Sequence, residues 1–201
     1  MTITKNSICS EGALLLGKEP FTDVDTDATP SSQKFVAIYE QTLYDLLAEH
    51  HWSFATREAK LLEALIPVPA MSEYAHYFDL PSDFLTFIQY GFDQDNPDYT
   101  QDKYRLEGGY LLSNDTDVYI KYTARIGVPY LFPPLFAELL SIKLAYKLAY
   151  SLVSSVSLRD ELAALYERKL SIAIGRDQRE DKSTYTNTNR IDIVRRCGYV
   201  Y

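Results

Sequence analysis

Along this chain the spacing of apolar residues changes twice, from helical to alternating and back again. Residues 4–16, "TKNSICSEGALLL", predict a short helix stopped by Gly17, a residue suited to a left-handed C-terminal cap. The polar stretch "KEPFTDVDTDATP" follows. A second helix is expected to start at Pro30 or Ser31, with Thr29 as cap and Pro30 in its first turn. Its apolar positions Phe35, Ile38, Tyr39, Leu43, Leu46, Leu47 and His50 share one helical face.

After "HHWSFA" the period falls to two. Tyr74, His76, Phe78 and Leu80 alternate with Ala75, Tyr77 and Asp79, "LPSD" makes a turn or short helical step, and "FLTFIQYGF" reads as a further strand. Residues 93–102, "DQDNPDYTQD", read as an acidic exposed loop. Gly108-Gly109 between "KYRLE" and "YLLS" marks a hairpin turn. In "DVYIKYTARI", Val118, Ile120, Tyr122, Ala124 and Ile126 oppose Tyr119, Lys121, Thr123 and Arg125, which predicts a strand with one buried face.

Pro129, Pro133 and Pro134 end the strands and set the entry of a long helix near 135–153. That helix is apolar on nearly every side, which places it among other helices. Its mid-helix Glu138, Lys143 and Lys147 argue against a membrane span. Ser157 with Asp160 suggests a capping box for a fourth helix over roughly 158–180. From Lys182 the periodicity fades. The fold class expected is therefore α+β and mainly α: a helical bundle from residues 1–60 and 131–182, an inserted small antiparallel β-subdomain over 61–130, and an extended C-terminal tail over 183–201.

Composition adds a surface question. The 201 residues include 17 tyrosines, a residue that serves cores and contact surfaces equally well. The net charge of −8 is uneven: residues 131–201 hold 11 basic and 8 acidic side chains, while residues 61–130 hold 4 and 11. An acidic chain lacks the clustered Lys and Arg of a nucleic-acid binder. Cys9 and Cys197 near opposite ends make no disulfide framework, and the N-terminus lacks the basic region of a signal peptide, so a soluble intracellular product is expected.

Candidate chemistry is sparse. Asp23, Asp25 and Asp27 open like a calcium loop, but Ala28 and Lys34 stand where that loop needs glycine and glutamate. His50, His51 and His76 have no partner at zinc-site spacing. No nucleophile elbow, phosphate-binding loop or dinucleotide fingerprint occurs. The reading is of a protein that is not an enzyme and needs no cofactor or metal. A pair of carboxylates brought together by the fold, as in a glycan hydrolase, is the enzymatic alternative.

Six stretches in order carry a resemblance: "ALLLGKEPF", "LLAEHHWSFATREAKL", "YAHYFDLPSDFL", "YRLEGGYLLS", "VYIKYTARI" and "PPLFAELLSIKLAYKLA". Over about residues 7 to 181 the chain resembles the head-to-tail adaptor family of short-tailed bacteriophages and prophages, often called tail tubular protein A. The resemblance implies a helical bundle bearing a small β-subdomain. It also implies a virion structural role, as a twelve-subunit ring between the portal protein and the tail nozzle protein. DNA would pass through the lumen without specific binding, with no membrane involved. Such a subunit would be made in the host cytoplasm and end in the neck of the virion. Another neck component, such as a head-closure protein, is a second structural alternative. The end of the chain lies outside the resemblance. There Ile191, Val194, Arg195, Arg196, Tyr199 and Tyr201 combine apolar, aromatic and basic anchors, and are read as a segment that orders on the portal or a neighbouring subunit.

Overall fold

The computed structural model describes residues 2–65, 72–91 and 104–196, with side chains described up to residue 179. The protein is mixed helix and sheet, and its described residues form four α-helices and two antiparallel sheets. The chain divides into two compact units. One comprises Met1–Leu46, Trp52–Phe54 and Gly127–Tyr201; the other comprises Leu47–His51 and Ala55–Ile126. The acidic loop at 93–102 lies outside the described residues.

In the helical unit, α1 spans Lys5–Leu15 and is capped by Thr4, whose side chain accepts a hydrogen bond from Ser7 N at 3.0 Å. Gly17 ends it with φ 66°, which lets Lys18 N–H reach Ala13 O at 3.0 Å. Helix α2 spans Pro30–Ala48, and Ser32 N–H donates to Thr29 Oγ1 at 3.2 Å, the cap expected from sequence. Phe35, Tyr39, Leu43, Leu46 and Leu47 of its apolar face are buried. Helix α3, Pro134–Val153, is buried on several sides, and Leu139, Leu140 and Leu144 are almost wholly inaccessible.

The three charges that interrupt α3 each have a destination. Glu138 pairs with Lys169 at 2.7 Å and Lys147 with Asp45 at 2.7 Å. Lys143, 2% exposed, places its ammonium over the Tyr166 ring, 5.5 Å from the centroid. Ser154 then turns the chain with φ 55°, and Ser155 Oγ accepts from Leu158 N at 3.1 Å.

Two expectations are corrected here. The fourth helix, α4, is Val156–Arg196, and its cap is Ser155 rather than Ser157; Ser157 lies inside the first turn and reaches Glu161 at 3.4 Å. The extended tail expected from residue 183 is not found, because the backbone stays helical to Arg196. No glycine or proline interrupts residues 176–196, so loss of amphipathic period there does not break the helix.

The described residues of the other unit form seven strands: β1 (Thr56–Lys60), β2 (Leu62–Glu63), β3 (His76–Asp79), β4 (Phe84–Tyr90), β5 (Tyr104–Glu107), β6 (Tyr110–Ser113) and β7 (Tyr119–Ala124). They form sheets of order β1-β7-β4 and β2-β3-β6-β5. Gly108 and Gly109, at φ 61° and 87°, make the tight β5–β6 turn. The alternation around β7 is realised: Val118, Ile120, Tyr122, Ala124 and Ile126 are all buried. Thr123 departs from the pattern and is buried as well. Tyr90 stacks on Tyr104 at 4.9 Å and 8°, tying β4 to β5. Strand β1 falls within residues 1–60, the span expected to be helical, because "TREAK" has no alternating apolar signal. Likewise residues 127–130 group with the helices rather than with the strands.

Candidate functional site

Asp23, Asp25, Asp27 and His76, weighed in sequence for chemistry, each make contacts within the chain. Asp23 caps its own turn, accepting from Asp25 N at 3.2 Å and from Thr26 Oγ1 at 3.0 Å, while Asp25 pairs with Lys5. Asp27 accepts from Thr29 N at 3.0 Å. His76 Nδ1 lies 2.7 Å from Glu63 Oε1, bridging β3 and β2. Among the described residues no group of three or more His, Cys, Asp or Glu is arranged to hold a metal. No helix among them is long and apolar enough to cross a membrane.

Two neighbouring groups in the helical core are shifted by burial. Burial pushes the Cys9 thiol up to about 12, with a smaller opposing influence from Lys5. Tyr39 is also held above its ordinary value, first by burial and then by Cys9. A thiol kept protonated in an apolar setting packs as a small hydrophobe and is a poor nucleophile.

One concave feature of the helical unit is built by the turn into α3 and one face of α4. Trp52 is 2% exposed, donates its indole N–H to Leu46 O at 2.9 Å and meets Phe136 edge-on at 5.2 Å. Above it opens a cavity of about 250 Å³ whose wall is Pro133, Pro134, Leu135 and Phe136, closed on the other side by Ala173, Arg176 and Asp177 of α4. Asp177 is fixed by Ser53, which donates from its backbone at 3.1 Å and from its hydroxyl at 2.6 Å. The lining thus combines aromatic, proline and leucine side chains with one arginine and one aspartate. Its one carboxylate is already bonded.

Large apolar side chains also stand out at both ends of the α3–α4 hairpin. At the entry to α3, the 3-10 turn Pro129–Leu131 exposes Tyr130 and Leu131, while Phe132 is buried behind them. At the α3–α4 turn, Tyr150 is 62% exposed, beside Val153 and Val156. The sequence reading named none of these. The signal available was the surplus of apolar residues around α3: one helix cannot bury all sides, so some must remain outside.

Four of the six residues predicted to bind a partner fall in the far end of α4. Because α4 passes the first turn of α3 near Ala173–Asp177, its continuation over residues 178–196 extends beyond α3 by roughly 28 Å. Ile191, Val194, Arg195 and Arg196 belong to that helical extension, though their side chains lie outside those described. Tyr199 and Tyr201 lie outside the described residues. Comparison with protein-family models and with curated proteins finds no match for the chain.

Proposed function

We propose that this chain is a structural head-to-tail adaptor of a short-tailed phage or prophage, a subunit of the ring that joins the portal vertex to the tail nozzle and lines part of the DNA conduit. The observation that carries the reading is the order of elements: helices from both ends of the chain make one unit, and the strands between them make another. That is the order the six sequence stretches imply for a bundle with an inserted β-subdomain. The cavity chemistry supports contact rather than catalysis, since its floor is aromatic and proline and its carboxylate is held by Ser53. A glycan hydrolase would instead need two carboxyl groups facing each other across a cleft.

We place the partner contact on the helical continuation of α4 up to Arg196, the part of the chain that carries the apolar and basic anchors. Electron microscopy of the chain mixed with a short-tailed phage portal protein tests the reading. A ring seated below the portal is expected. A chain lacking residues 184–201 should remain folded and fail to seat. No ring on the portal would refute the adaptor reading; a seated ring of the truncated chain would refute the role of the extension. A ring seated on a different neck protein would favour the head-closure alternative.

A further inference from the structure

We draw no further inference here: the strongest candidate, the exposed apolar patch of Val128, Tyr130 and Leu131 at the 3-10 turn that leads into α3, carries nothing because nothing in the structure shows what covers it.

Discussion

Two glycines in helix interiors should respond in opposite senses to the same substitution. Gly12 lies within α1 and is buried; a Cβ there would stand 2.9 Å from Phe35 Cε1 and 3.0 Å from Ser141 O. Gly175 lies within α4, and a Cβ there would meet nothing within 4 Å. Alanine gains about 1 kcal/mol over glycine in a helix interior. At position 175 that gain should appear almost undiminished, as about 0.5–1 kcal/mol of added stability. At position 12 it is opposed by overpacking of about 1–3 kcal/mol. The Phe35 ring has little room to retreat, being fully buried with Phe21 edge-on at 5.5 Å, and the carbonyl belongs to the backbone of α3. The net for Gly12→Ala is a loss of about 1 kcal/mol, or a fall of about 2–4 °C in the melting temperature of the helical unit. Urea unfolding followed by far-ultraviolet circular dichroism, where the helices dominate the signal, measures both variants against wild type. If Gly12→Ala is as stabilising as Gly175→Ala, the close approach of α1 to α3 and the central position of α3 are wrong.

The helical unit should also lose stability in alkali. The folded Cys9 thiol is raised from 9.0 to about 12, so its contribution is fully present below pH 9 and is lost as pH rises toward the folded value; the slope for one such group is about 1 kcal/mol per pH unit. Melts between pH 8 and 11 should show this fall, a Cys9→Ala chain a shallower one, and equal slopes would contradict the burial argument. Leu140→Asp and Leu144→Asp should each abolish folding of the helical unit, since both side chains are fully buried and an unpaired carboxylate there costs several kcal/mol, comparable with a domain's whole margin. A wild-type melt from either would displace α3 from the core.

What the sequence determined by itself is what local sterics and short-range hydrogen bonds decide. Thr29 and Gly17 bound their helices because a side-chain cap and a left-handed glycine act within a few residues. Gly108-Gly109 sets the hairpin for the same reason. The alternation from Val118 to Ile126 was legible because one face of β7 is buried and the period of a strand is two. Strands β1 and β2 were not, because "TREAK" and "LE" hold their places by pairing with β7 and β3, and pairing partners are remote in sequence. The extent of α4 escaped for a related reason: its polar final third lacks the stripe by which a packed helix is recognised, yet contains nothing that stops one. The tertiary structure alone decided which apolar residues of α3 face outward. Tyr146 meets Tyr166 at 5.8 Å, while Tyr150, one turn further on, is exposed. The difference lies in where α4 turns back at Ser154, and periodicity cannot tell a covered turn of an apolar helix from an uncovered one. The cavity over Trp52 is likewise assembled from three stretches far apart in the chain, so no spacing announces it.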